Sequence, residues 1–168
     1  MKSRMVSLVA IVLVAMLALG MSYALWSTHL YISGTIYTGT VSAEIIAGNC
    51  YDDEPPEKDV SDITCEVVDN TLVVTITNAY PCINYSCKFY VNNTGTIPVK
   101  VQEIAISGDA EVGYVTVTVT GIEVGKQLEP GEEVECLLTV HLENSAAQNA
   151  TYTFEVDICL VQWNEYAP

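Results

Sequence analysis

Residues 25–41 read LWSTHLYISGTIYTGTV and alternate apolar with polar side chains, which is typical of a β-strand that buries one face. Leu30, Ile32 and Ile36 share one side of this strand, and Gly34 lies on the same side. A glycine within a strand often marks a place where another backbone comes close. The pattern therefore predicts a strand that another molecule covers.

The apolar pattern shifts after Gly39. Val41, Ala43 and Ile45 take the alternate positions, so a straight strand cannot bury both sets of side chains on one face. We therefore predict a hinge near Gly39, with the outgoing strand ahead of it and a folded body behind it.

The rest of the chain consists of short stretches rich in valine, isoleucine, threonine and tyrosine, separated by asparagine, aspartate, glycine and proline. The predicted strands are 41–46, 64–68, 72–77, 87–91, 99–106, 112–119, 134–142 and 151–161. Seven or eight short strands at this spacing indicate a single antiparallel β-sandwich. We expect almost no helix after the hydrophobic start.

That start begins with Lys2 and Arg4, continues as an apolar run and ends in Ser-Tyr-Ala before residue 25. This is typical of a secretory signal that is cleaved between Ala24 and Leu25. The alternative is an uncleaved transmembrane anchor, since 22 residues from Met5 are long enough to cross a bilayer. We divide the chain into a signal peptide (1–24), an N-terminal strand with its hinge (25–39) and a β-sandwich domain (40–168).

The charge balance is strongly acidic, with 6 basic residues against 21 acidic ones. Nucleic acid is excluded as a partner because nothing could neutralise a run of phosphates. Loss of the signal removes two of the basic residues and leaves four against 21, a formal net charge of −17. The secreted body is predicted to be solvated and self-repelling.

Six cysteines follow the signal, and an even number in a secreted chain predicts three disulfides of open connectivity. They are Cys50, Cys65, Cys82, Cys87, Cys136 and Cys159. A metal site is the alternative, but no pair has the two-residue spacing of a zinc knuckle. Cys136 and Cys159 flank one turn, but strand alternation places them on opposite faces. A disulfide between them therefore needs a bulge in a strand, or the pairing is wrong.

Acidic residues crowd the predicted loop at 49–62, where Asp52, Asp53 and Asp59 are weak candidates for calcium ligands. A solvated acidic loop is the alternative, because clustered like charges are usually exposed. Calcium is the only cofactor that the sequence suggests.

Three glycosylation sequons lie in or beside predicted turns, at Asn84, Asn92 and Asn149. Catalytic signatures are lacking in the sequence: His29 and His141 are far apart and in predicted strands, and neither a nucleophile elbow nor a phosphate loop occurs. We predict that the protein is not an enzyme.

Four phrases taken in order carry a family resemblance. They are LWSTHLYISGTIYTG (25–39), NAYPCINYSCKFYVNNTGTIPVKV (78–101), LEPGEEV (128–134) and NATYTFEVDICLVQWNEY (149–166). Together they resemble archaeal relatives of the TasA/camelysin group, which include subunits of bundling pili and surface threads. The resemblance implies a jelly-roll-like sandwich, with an Ig-like one as the alternative, and a mature N-terminal segment that fills a groove in the next subunit as a donor strand.

Carried over to this chain, the donor strand begins at Leu25 and includes Leu30, Ile32, Gly34 and Ile36. The resemblance thus implies a secreted structural subunit of a pilus or biofilm-matrix fibre, a head-to-tail homopolymer that meets the membrane only during secretion. The alternative is a monomeric cell-surface binding or matrix domain that an uncleaved N-terminal helix tethers to the membrane.

Overall fold

The computed structural model describes residues 2–22 and 28–167, which form two compact units, Met1–Tyr37 and Thr38–Pro168. The first unit contains helix α1 (Lys2–Ser22). Within the described part of the chain, α1 is the one helix whose length and composition suit a membrane span. The proposed cleavage site between Ala24 and Leu25, and the first three residues of the predicted donor strand, lie outside the described residues.

The second unit is built almost entirely of strands. They are β1 (Glu44–Asp52), β2 (Asp62–Val68), β3 (Thr71–Thr77), β4 (Asn84–Asn92), β5 (Val99–Gly108), β6 (Val115–Thr120), β7 (Gln127–Leu128), β8 (Glu133–Leu142) and β9 (Phe154–Gln162), and a single-turn helix α2 spans Asp109–Val112. All pairings are antiparallel. The predicted all-β antiparallel sandwich is confirmed.

One layer of the sandwich is a four-stranded sheet in the order β1-β4-β8-β6. A three-stranded sheet in the order β7-β5-β9 and the β2–β3 hairpin are the other two sheets. Alternating side chains of β4, β6 and β8 are buried in one core with residues of β5 and β7. The fully buried core side chains include Tyr85, Cys87, Val99, Val101, Leu128 and Cys136.

Several strand boundaries differ from the sequence prediction, which also lacked β7, and two of these differences have a clear local cause. Strand β1 runs on to Asp52, through residues predicted as loop, because a bulge between Ala47 and Cys50 lets the strand continue to pair with β4. Gly48 lies in this bulge, where a Cβ would be 2.8 Å from the Lys88 carbonyl oxygen. Strand β6 begins at Val115 instead of residue 112, since α2 and a left-handed Gly113 occupy the preceding positions.

Candidate functional site: an open groove beside β9

A cavity of about 400 Å³ opens between the layers of the sandwich. This volume lies within the range of about 300–1,000 Å³ that is usual for sites that take a ligand. Its floor is the inner face of the four-stranded sheet, and its apolar floor residues are Phe89, Val91, Val119 and Leu138. We call this cavity the groove.

One wall of the groove is the inward face of β9, formed by Phe154, Val156, Ile158 and Leu160. These side chains are only half-buried, whereas Phe89 on the floor is 4 % exposed. An apolar strand face that remains partly exposed keeps area that a further element would remove from water. The wall therefore packs against the core and still keeps some exposed apolar area.

The outer edge of β9 is also open. Strand β9 pairs with β5 and ends its sheet, and among residues 2–22 and 28–167 no strand pairs with its other side. An edge strand presents a row of backbone N–H and C=O groups that can pair with another chain. The apolar wall and the open edge of β9 together form a surface to which one extended segment could bind as an added strand.

The tip of the β2–β3 hairpin bounds the groove on another side, together with the start of β1. Asp69 and Asn70 both have positive φ, as a tight two-residue hairpin turn requires. The Asn70 side chain fastens this tip, because its Oδ1 accepts from the Ile45 N–H at 2.8 Å and its Nδ2 donates to the Ala43 carbonyl at 3.2 Å. The groove thus has a fixed wall there.

We call residues 25–39 the donor arm. Residues 28–39 form no regular secondary structure, so the strand predicted there is not formed within this chain. Leu30 and Ile36 are each 90 % exposed and Ile32 is fully exposed. Nothing lies within 4 Å of a Cβ placed on Gly34. The arm carries no lysine, arginine, aspartate or glutamate, so the acidic body does not repel it strongly.

The chain becomes attached to the sandwich just behind the arm. Gly95 N–H donates to the Ser42 carbonyl, and Thr96 N–H to the Thr40 carbonyl, each at 3.0 Å. Thr40 N–H donates in turn to the Thr96 hydroxyl at 2.9 Å. The receiving loop is held by buried Asn93, whose Nδ2 donates to two backbone carbonyls at 3.0 Å. These bonds anchor the chain from residue 40 onward.

Gly39 does not occupy the open position that a hinge would need. A Cβ added there would collide with the Ile97 side chain, so the glycine permits close packing against this residue. The two compact units divide between Tyr37 and Thr38, just before it.

The cysteines are not arranged as three separate disulfides. The sulfurs of Cys65 and Cys87 both lie within disulfide reach of Cys50, so three sulfurs form one cluster, and Cys82, Cys136 and Cys159 are unpaired among the described residues. Cys136 and Cys159 are not cross-strand neighbours, because β8 and β9 belong to different sheets, and neither is in a disulfide. The sequence could not show this, since it does not reveal which strands become neighbours.

The calcium candidates are not gathered at one point. Asp53 accepts from the Asn84 backbone N–H at 2.8 Å and from its side-chain Nδ2 at 2.7 Å, and Asp52 accepts from the Glu54 N–H at 3.1 Å. Asp59 is exposed. Within residues 2–22 and 28–167, no group of three carboxylates has metal-ligand spacing, and the cysteine cluster alone does.

The bonds from Asn84 hold the pKa of the Asp53 carboxyl below its ordinary value of 3.8, and the backbone bond contributes most. Because the pKa is lower in the folded state, the ionised form stabilises the fold above pH 3.8, and this stabilisation is lost as the pH falls through the lowered value.

We expect Asp53→Ala to lower the free energy of unfolding by about 1 kcal/mol at pH 7. Urea titrations of variant and wild type should converge toward pH 2. Asp59→Ala, in the same loop, is the control, and it should change the free energy of unfolding little at either pH.

The three sequons differ in whether the side-chain amide of the asparagine is hydrogen-bonded. The Nδ2 of Asn84 is bound to Asp53, and that of Asn92 donates to Glu44 at 3.2 Å. Asn149 is exposed and adopts a left-handed φ of 55° in a loop. The geometry leaves Asn149 as the most accessible acceptor of the three.

Comparisons with protein-family models, with curated proteins and with solved structures find no match for this chain. Two features of the site escaped sequence analysis, the residues that line the groove and the three-cysteine cluster. The continuous apolar face of β9 is the sequence signal that could have pointed to the groove. A strand covered on both faces would also show such a face.

Proposed function

We propose that the protein is a structural subunit of an extracellular filament, a pilus or biofilm-matrix fibre, assembled by donor-strand complementation. The donor arm of one copy fills the groove of the next and pairs with the open edge of β9. The observation that carries the proposal is that a half-covered apolar wall with a free strand edge occurs in the same chain as an exposed, uncharged, alternating segment. The resemblance of four phrases of the sequence to archaeal relatives of the TasA/camelysin group supports the same function.

The energetics require both apolar burial and backbone pairing. Burying Leu30, Ile32 and Ile36 is worth roughly 1.5–3 kcal/mol each, while ordering about eight residues costs roughly 1–2 kcal/mol apiece for the backbone. Burial alone therefore does not hold the arm. Hydrogen bonds to β9, each worth about 0.5–1.5 kcal/mol net, supply the remaining stabilisation. An apolar pocket without a strand edge would not suffice.

Arm and groove are different surfaces, so the contact is head-to-tail and adds subunits without closing. Each copy has one arm and one groove, which yields a linear polymer. Secretion frees the arm when α1 is removed, and the anchoring of Thr40 and Ser42 to the loop at 94–96 fixes the point from which the arm leaves the sandwich.

The test deletes residues 25–38 from the mature protein. The shortened chain should remain folded, because its sandwich core lies entirely behind residue 38. It should form no filaments, and it should bind a synthetic peptide of residues 25–39. A scrambled peptide of the same composition is the control, because it loses the alternation. Filaments of normal appearance from the shortened chain would disprove the proposal.

A second candidate is a monomeric surface domain that α1 keeps in the membrane, and the length of α1 favours it. The two candidates differ in the N-terminus of the native protein. A mass corresponding to a start at Leu25 supports the filament subunit, and retention of residues 1–24 supports the tethered domain.

A further inference from the structure

Three strands bring their cysteines to one point at the end of β1. Cys50 of β1 lies directly opposite Cys87 of β4 in the strand register. Cys65 of β2 points to the same place, and its Sγ donates to the Gly48 carbonyl at 3.8 Å. The three Sγ atoms lie within 4.8 Å of one another. No other cysteine among the described residues joins them.

Cys50 has two partners within disulfide reach. The Cα–Cα distance is 6.4 Å to Cys65 and 4.2 Å to Cys87. The first lies inside the usual disulfide range of about 4.4–6.8 Å, and the second lies just below its lower limit. A sulfur forms only one disulfide, so whichever bond exists, the third cysteine is a thiol beside it.

We propose that Cys50, Cys65 and Cys87 form a thiol–disulfide exchange site in which Cys50 changes partner. The thiolate of Cys65 attacks the Cys50 sulfur, the Cys50–Cys65 bond forms, and the Cys50–Cys87 bond breaks. Cys87 leaves as a thiolate and takes up a proton. One disulfide and one thiol are present before and after, so the step needs no oxidant or reductant.

The two states differ in what they hold together. A Cys50–Cys87 bond joins two strands that already pair in one sheet. A Cys50–Cys65 bond instead ties the β2–β3 hairpin, whose tip bounds the groove, to the four-stranded sheet. The exchange thus decides whether this wall of the groove is held covalently or only by packing and the Asn70 hydrogen bonds. The inference concerns the sandwich itself and does not depend on filament assembly.

The remaining cysteines do not compete for Cys50. Cys82 is exposed and its Sγ lies 3.8 Å from the Asn144 side chain, and neither Cys82 nor Cys159 belongs to the group of sulfurs that lie within 4.8 Å of one another. Cys136 is 1 % exposed, and this burial raises the pKa of its thiol to about 11, with a smaller contribution from the Glu135 carboxylate. Its sulfur also lies outside the group of three sulfurs that have metal-ligand spacing, so it is not in reach of Cys50.

Peptide mapping of the mature protein tests the exchange. The protein is held at pH 8 with a trace of small thiol, quenched with acid, alkylated and digested without reduction. We expect two linked peptides, Cys50 with Cys65 and Cys50 with Cys87, and one alkylated thiol per cluster. Cys65→Ser should leave only the second link and Cys87→Ser only the first. Cys159→Ser, outside the cluster, should leave both.

Hydrogen exchange then measures what each bond holds. The Cys50–Cys65 bond closes a loop with a sequence separation of 15 residues. Because, of the two disulfides, this bond alone ties the hairpin to the four-stranded sheet, we expect amides of β2 and β3 to exchange more slowly in Cys87→Ser than in Cys65→Ser, which retains only the Cys50–Cys87 bond. Amides of β5 and β9 serve as the internal control and should differ little between the two variants.

Three outcomes would overturn the inference. The first is a single linkage that stays unchanged after thiol treatment, and the second is equal hydrogen exchange of the hairpin in the two variants. The third is a cluster of three reduced cysteines that binds one zinc ion per chain, measured by elemental analysis of the purified protein. That result would make the cluster a metal site.

Discussion

Subunits carrying Ile32→Asp are expected to remain folded monomers and to form no filaments. Ile32 is fully exposed within its own chain, so the substitution should change the free energy of unfolding by less than about 0.5 kcal/mol. In the groove of a neighbouring subunit, the substitution removes the burial of one isoleucine, worth roughly 1.5–3 kcal/mol. It also places an unpaired charge against apolar side chains. We expect the affinity of the arm to fall by about 100-fold or more.

The matched control is Ser33→Asp, which adds the same charge one residue away on the opposite face of the strand. It should assemble almost as the wild type does, because that side chain points out of the groove. Sedimentation and negative-stain micrographs of the two variants at equal concentration provide the measurement. If both assemble, or if neither does, the arm is not bound through the face that contains Ile32.

The strands of the sandwich could be predicted because each carries its own signal. Apolar side chains at every second position indicate strand β9, and Asp69 and Asn70, which tolerate positive φ, indicate a turn. These features depend on a few neighbouring residues. They describe each element and say little about what lies beside it.

The groove and the cysteine cluster depend on contacts between distant parts of the chain. Nothing near β9 in sequence indicates that β5 covers one of its edges and that its other edge is left open. The cysteines of the cluster are separated by 15 and 37 positions from Cys50, and a bulge sets their register. Six cysteines in a secreted chain suggested pairs, because a rule of even numbers cannot detect a group of three.

The largest expected effect on the acceptor side is that of Val156→Asp. Val156 is half-buried on the wall that β9 contributes to the groove. An aspartate there would oppose the apolar face of an incoming arm, so binding of a peptide of residues 25–39 should weaken by about 100-fold or more. Thr118→Asp adds the same charge on the exposed face of β6 and is the control. Circular dichroism during heating establishes that both variants are folded before binding is compared.

Mixing the two disabled subunits gives the sharpest test of a head-to-tail contact. Ile32→Asp has an intact groove and no usable arm, whereas Val156→Asp has an intact arm and no usable groove. Each alone should stay monomeric, and an equimolar mixture should form one junction and stop, because the dimer has neither a free arm nor a free groove that works. Light scattering after size exclusion should therefore show dimers in the mixture alone. Filaments in the mixture, or dimers of either variant by itself, would mean that subunits meet through another surface.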